Sequence, residues 1–158
     1  MEVGVAFKTI VRRWFEENNA RKEVADFQRV ILENDKELAE IILNQLMLKS
    51  ISYFDNVENF YHGFVLGLLV DMGEKYIVES NGESGYGRYD MKIEKRDGTL
   101  GIILEFKTVQ EEDKMEEMAL KALEQIEEKE YYNDMKKRGI TNIFEYGIAF
   151  NNKKVVMR

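Results

Sequence analysis

The 158 residues contain no cysteine and a single histidine, His62. Disulfides and thiolate metal sites are therefore excluded, nothing points to an oxidising compartment, and any metal must be held by oxygen or by His62. No apolar run approaches the ~20 residues of a membrane span, and Glu2, Lys8, Arg12 and Arg13 break the stretch that a signal peptide needs. A soluble, cytoplasmic protein with no membrane partner is expected. Positive charge is also short. With 23 basic residues against 30 acidic ones, the formal net charge is -7, which argues against strong non-specific binding to a polyanion but leaves room for a local basic groove. The GxxxxGK[ST] pattern of a phosphate-cradling loop is missing too. What is present is a chain 44% hydrophobic, long enough for one packed core and short for two.

The first third is helical in pattern. Val5, Ile10, Val11, Trp14 and Phe15 recur at helical spacing up to about Glu17, where Asn18-Asn19 supplies a stop. Val24, Phe27, Val30 and Ile31 repeat the pattern as far as Asn34, which then caps a third helix carrying Leu38, Ile41, Ile42 and Leu46, with Glu37 three residues on. No titratable cluster shares an apolar face there, so residues 1–57 read as a helical packing layer on the core formed by residues 58–158. Asp55 is placed to cap a helix from about Val57 to Met72. Glu58, His62, Val65 and Leu69 lie on one stripe of it, which turns two polar residues toward the interior. Glu58 has two readings, the returning half of a capping box with Asp55 or a site residue. A lone histidine on such a stripe reads first as a hydrogen-bonded core residue.

Lys75–Glu79 reads as a strand, and the glycine-rich stretch from Ser80 to Gly87 as a flexible connector. A long helix is expected from about Glu112 to Lys137, with Met115, Met118, Ala119, Ala122 and Ile126 on its apolar face and Gly139 ending it. Gln125 and Tyr132, seven apart, would share one edge of that helix. Ile143–Phe150 is a strand, Asn151-Asn152 a turn and Val155-Val156 a final strand. After the first helices the order is thus α-β-β-β-α-β with a terminal β.

Between these lies the most informative stretch, Arg88 to Lys107, two alternating segments either side of Asp97-Gly98, a strong hairpin signal. With Asp97 and Gly98 as a two-residue loop, Asp90 falls opposite Glu105, and Arg88 opposite Lys107. Two carboxylates would then stand ~5 Å apart at their Cβ atoms, where like charges destabilise a sheet unless something positive lies between them. A divalent cation is the obvious candidate. Period 2 puts Lys107 on the face of Glu105, while Leu104 and Phe106 point into apolar packing.

These residues carry a resemblance. Glu58 on a helix, Asp90 at a strand's start, Glu105-x-Lys107 on the next strand and Gln125 on the following helix resemble the PD-(D/E)XK nuclease superfamily. More narrowly, Tyr61–Gly67, Ser84–Asp90, Ile103–Lys107, Ala122–Ile126 and Tyr146–Phe150 resemble the nuclease-like module found C-terminal to an AAA-type ATPase-like domain in many bacterial proteins. Tyr89 stands where the superfamily's name has proline, a position that mainly sets how the strand begins. No Walker motif occurs, so the chain resembles the tail of such a protein.

The resemblance implies an α/β restriction-endonuclease-like fold with a mixed sheet, and metal-dependent hydrolysis of nucleic-acid phosphodiester bonds. Asp90, Glu105 and the main-chain carbonyl of Phe106 would hold Mg²⁺ or Mn²⁺, with Glu58 reaching the ion through water. Lys107 would orient the attacking water and offset charge in the transition state. Gln125 and Tyr132 would position Lys107 or the nucleophile, and Arg88 and Ser84 are candidates for contact with substrate. The implied partners are nucleic acid, DNA ahead of RNA, and an AAA-type ATPase-like domain. Two rival functions come with the same residues. One is a catalytically silent nucleic-acid-binding or regulatory module. The other is an assembly module whose early helices make a homodimer or dock a partner domain.

Overall fold

A computed structural model describes residues 19–49, 58–85 and 87–158, together with Thr9, Arg13, Trp14, Glu16 and Glu17, apart from the side chains of Glu58, Asn59, Glu83, Ser84 and Arg88. The rest of the expected first helix and the Asp55 cap lie outside the described residues. Trp14 is helical and buried, and its indole N–H donates to the Lys49 carbonyl at 3.0 Å.

Helix α1 spans Arg21–Leu32 and α2 spans Lys36–Lys49. Between them Asn34 adopts φ +58°, while Asp35 N–H bonds the Val30 carbonyl and Asn34 N–H that of Ile31. This is a Schellman closure of α1. Asn34 therefore ends one helix instead of starting the next, and the cap of α2 is Asp35, whose carboxylate accepts the Leu38 N–H at 3.1 Å. Helix α3, Glu58–Leu69, is shorter than its hydrophobic pattern suggests and buries Tyr61, Phe64, Val65, Leu68 and Leu69.

The strands are β1 (Tyr76–Ser80), β2 (Glu83–Ser84), β3 (Gly87–Arg88), β4 (Met91–Lys95), β5 (Gly101–Thr108), β6 (Ile143–Asn151) and β7 (Lys154–Met157). Five of them form a sheet in the order β1-β4-β5-β6-β7, with β5 and β6 parallel and the other neighbours antiparallel. The expected connector between β1 and β4 is instead a small ribbon in which β2 pairs with β3.

The expected register of the β4–β5 hairpin holds, with Met91 opposite Leu104 and Glu94 opposite Gly101. Its turn differs. A two-residue type I′ loop needs positive φ at both central residues, and only Gly98 has it, at +76°. Lys95 N–H bonds the Leu100 carbonyl, and Gly98 N–H bonds that of Lys95, giving a four-residue loop with the same pairing beyond it.

The sheet is covered on both faces. Toward α1–α3 it presents Met91, Ile93, Ile102, Leu104, Phe106, Tyr146, Ile148 and Phe150, which form one apolar cluster with Phe27, Ile31, Leu46 and Tyr61. The Tyr61 ring stacks on Phe150 with centroids 4.5 Å apart, and its hydroxyl donates to the Asn152 carbonyl. The other face is covered by α4 (Met115–Lys129) and the short α5 (Asn133–Lys137). A side chain on Gly147 would meet the Ala119 carbonyl oxygen at 2.1 Å, so glycine there sets how closely α4 approaches. Burial on both sides explains why residues 101–106 are all buried, as in the centre of a parallel sheet.

The β7 edge is closed by α2: the Asn44 amide both donates to and accepts from the main chain of Val155, and Glu40 accepts the Met157 N–H at 2.8 Å. A strand edge that could template aggregation is thereby occupied. Among the described residues no helix is long and apolar enough to cross a membrane.

Candidate active site

The β4–β5 ladder ends at Met91 opposite Leu104, one step short of Asp90. There the side chain takes over. Asp90 Oδ2 accepts the Phe106 N–H at 2.8 Å, while the Asp90 carbonyl accepts the Asn81 N–H at 2.9 Å. Asp90 is thus fastened to the strand on one side and to the end of β1 on the other. This bend overturns the expected pairing of Arg88 with Lys107, because Arg88 pairs with Glu83 in the ribbon instead.

Tyr89, at the proline position, forms the corner. It is buried, its hydroxyl donates to Glu79 at 2.8 Å, and a side chain on Gly82 would collide with its phenol oxygen. Beside it the buried Lys92 lies over the Tyr89 ring, between the carboxylates of Glu79 and Glu94 at 3.8 and 3.6 Å.

Glu105 projects under α4 and is only 4% exposed. Burial pushes its carboxyl well above the ordinary carboxylate range, the neighbouring Asp90 carboxylate pushes it further, and Lys107 pulls it back. The two carboxylates therefore lie within reach of each other's charge. Glu105 Oε1 accepts the Gln125 amide N–H at 3.3 Å, and Oε2 is buried with no hydrogen-bond partner among the described residues. A buried acceptor without a donor is costly. A divalent cation is one group that satisfies it, and an all-oxygen pair of carboxylates suits a hard ion that keeps several of its waters. No group of three or more His, Asp or Glu among the described residues converges on a possible metal position, so this pair, with main-chain oxygen, is the donor set on view.

Gln125 organises the rest. Its Oε1 accepts from Lys107 Nζ at 2.5 Å, and its Nε2 donates to Glu105 and, at 2.9 Å, to the Tyr131 hydroxyl. Carbonyl toward the ammonium and amide N–H toward the acceptors is the only orientation that satisfies every group. Lys107 is thereby held on the Glu105 side of β5.

Tyr131 was not legible in the periodicity, which points to Tyr132. Helix α4 stops at Lys129 because Glu130 takes a left-handed conformation, φ +50°. Tyr131 N–H bonds the Ile126 carbonyl and Glu130 N–H that of Glu127, a Schellman closure that turns Tyr131 inward against Ile126 and Ile103. The Gln125 partner is Tyr131, while Tyr132 has Lys136 Nζ 3.9 Å over its ring and its phenol is pushed up by burial and by Glu127, Glu130 and Glu145. Glycine or asparagine normally marks such a stop. Glutamate gives no warning.

His62 meets the same strand from the other layer, its ring edge-on to Phe106 at 5.4 Å. Burial pushes its imidazole down and the Asp90 charge opposes this. The expected satisfied core histidine is not found: Nε2 is buried without a hydrogen-bond partner among the described residues. The side chains of Glu58, Ser84 and Arg88 lie outside the described residues.

The structure thus brings Asp90, Glu105, Lys107 and Gln125 together at one end of β5 and adds Tyr131 to them. A sequence model described as the PD-(D/E)XK nuclease superfamily matches residues 56–158, which includes α3, every strand and both later helices. No curated protein matched the chain. With a mixed α/β sheet of this order carrying acidic, acidic and ammonium groups in series, the chain belongs to the PD-(D/E)XK nuclease superfamily.

Proposed function

We propose that the protein hydrolyses phosphodiester bonds of nucleic acid with the help of Mg²⁺ or Mn²⁺, the ions that nucleases of this superfamily generally use. The observation that carries this reading is an oxygen of Glu105 that is buried without a hydrogen-bond partner among the described residues, beside Asp90 and on the strand that also bears Lys107. Asp90, Glu105 and the Phe106 carbonyl would hold the ion, with Glu58 reaching it through water. The ion, when bound, supplies positive charge to the phosphate oxygens and makes a water more acidic.

The chain's own groups do the positioning. The Phe106 N–H fixes one Asp90 oxygen, so the carboxylate cannot rotate away from Glu105. Lys107, held by the Gln125 carbonyl, places an ammonium where an attacking water can be oriented and where charge builds as the phosphorus is attacked. Gln125 acts through Lys107, and Tyr131 through Gln125, so both are positioning residues. The α4 layer keeps bulk water away from Glu105, which strengthens each of these charge interactions.

The test is incubation of single- and double-stranded DNA and RNA with the protein in Mn²⁺, beside its Asp90→Ala variant. Cleavage by the parent and loss in the variant supports the reading. Cleavage of equal rate in both would contradict it.

A further inference from the structure

Three lysines converge outside the carboxylate pair. Lys121, Gln125 and Lys129 lie at i, i+4 and i+8, on a single stripe of α4. Gln125 is the member whose carbonyl holds Lys107. All four line one cavity of about 330 Å³, with Met118, Glu124 and Glu128 as the remaining walls. At 1.5 Å rise per residue the two flanking lysines stand ~12 Å apart along the helix, with Lys107 reaching the stripe between them. That span matches three to four nucleotides of a stacked strand at ~3.4 Å each.

The charges there are available. Neither Lys107 nor Lys129 forms an ion pair among the described residues. Among the described residues Lys121 has only Glu117, one turn away at 3.6 Å, with both side chains more than half exposed. Such a pair is weak and exchanges readily with another anion. Two wall carboxylates, Glu124 and Glu128, are exposed and temper the field without cancelling three ammonium groups.

The glycine-rich ribbon supplies a second boundary. Gly85, at φ +60°, lies so close to the end of α4 that an added Cβ would sit 2.2 Å from the Lys129 carbonyl oxygen, and one on Gly87 would lie 3.6 Å from the Lys129 side chain. Glycine at these positions lets β2–β3 lie against the helix end beside Lys129. The net charge of -7 makes a basic cavity here a local exception.

We infer that this cavity is a subsite for the sugar-phosphate backbone of a nucleic-acid strand, in which Lys121 and Lys129 contact non-scissile phosphates on either side of the bond presented to Lys107. It rests on the nuclease reading above and adds to it the face of α4 along which the strand runs. Phosphate contacts of this kind position a strand without reading its sequence.

The test measures anisotropy of a short fluorescein-labelled DNA oligonucleotide, in Ca²⁺, across a salt series. Each phosphate contact contributes roughly 0.7 to the slope of log affinity against log salt for a single strand. The double variant Lys121→Gln/Lys129→Gln should lose about 1.4 from that slope, while Lys22→Gln/Lys137→Gln, the same charge change elsewhere, keeps the parental slope. All four lysines are exposed, so both proteins should melt like the parent. Equal slopes for the two double variants would overturn the subsite. If the parent still cleaves in Mn²⁺ in that case, the nuclease reading survives alone; if the parent neither binds nor cleaves, both fall.

Discussion

Helix α4 covers two carboxylate pairs, and only one of them looks like a site. Beneath Gln125, Glu105 meets Asp90; one strand over, Glu145 on β6 meets Glu127, two residues further along the helix. In both, burial is the largest cause that pushes the strand glutamate up, and the neighbouring carboxylate adds to it. The difference lies in the countercharge. Glu145 already has Lys36 from α2 and Lys136 from α5 lowering it, and neither of its oxygens is a buried orphan among the described residues. Burial in turn pushes Lys36 down, with Glu145 opposing. Among the described residues Glu105 has one lysine, tied to an amide, and one buried oxygen with no hydrogen-bond partner. A pair of acids is therefore not enough to mark a metal site. A single lysine, tied to an amide, against two at Glu145 is what distinguishes the Asp90–Glu105 pair from the Glu127–Glu145 pair.

The comparison can be broken most decisively through the lysines. Lys107→Ala should lower the Mn²⁺-dependent cleavage rate by about 10²–10³, the usual effect of removing one preorganised stabiliser of transition-state charge. Lys136→Ala, beside the other pair, should leave the rate unchanged. Similar losses in both would erase the distinction.

A smaller effect is expected one contact further out. Gln125→Leu removes both the Lys107 acceptor and the donor to Glu105 while keeping the helix, and should cost about 10–100-fold in turnover, as loss of an orienting partner commonly does. It should act on kcat with KM little changed. A variant that is slow only because it is unfolded is recognised by circular dichroism.

The smallest effect concerns stability without metal. Glu105 goes from an ordinary 4.5 to about 9 on folding, and Glu145 from 4.5 to about 8. A raised carboxyl holds its proton in the folded state where the unfolded chain has lost it. Its contribution is complete below about 4.5 and drains away as pH rises toward the folded value. Glu105→Gln stays neutral throughout, so in chelator its melting temperature should draw ahead of the parent's as pH rises from 4.5 to about 9. Glu145→Gln should do the same over the narrower window, with a smaller lead. Parallel melting curves for parent and variants across that range would show that neither pair is protonated.

Much of this arrangement could be read before any coordinates. The alternation from Met91 to Glu94 and from Gly101 to Leu104 defines the register whatever the loop does, which is why a misassigned turn at Asp97-Gly98 left Asp90 next to Glu105. Glu105 and Lys107 share a face because strand period alone demands it. Three things were hidden. Asp90 uses its side chain, not its main chain, to meet β5, and pairing rules say nothing of that. The face of Glu105 is roofed by α4, since a strand with one acidic side gives no sign of being covered on both. Tyr131 replaces Tyr132 because the helix stops on a glutamate in a left-handed conformation, an event decided by packing against Ile103 and Ile126. In the early helices the polarity of capping misled similarly, with Asn34 closing α1 and Asp35 opening α2.

The central claim is that the Asp90–Glu105 pair takes a cation beyond Lys107 and that the Glu127–Glu145 pair, with two lysines, does not. An anomalous difference map from a crystal soaked in manganese tests it directly. A peak between Asp90 and Glu105, within reach of the Phe106 carbonyl, is the expected result, with nothing at Glu127 and Glu145. A peak at the second pair alone, or density at neither, would contradict the claim and remove the ground for assigning a hydrolytic centre to this end of β5.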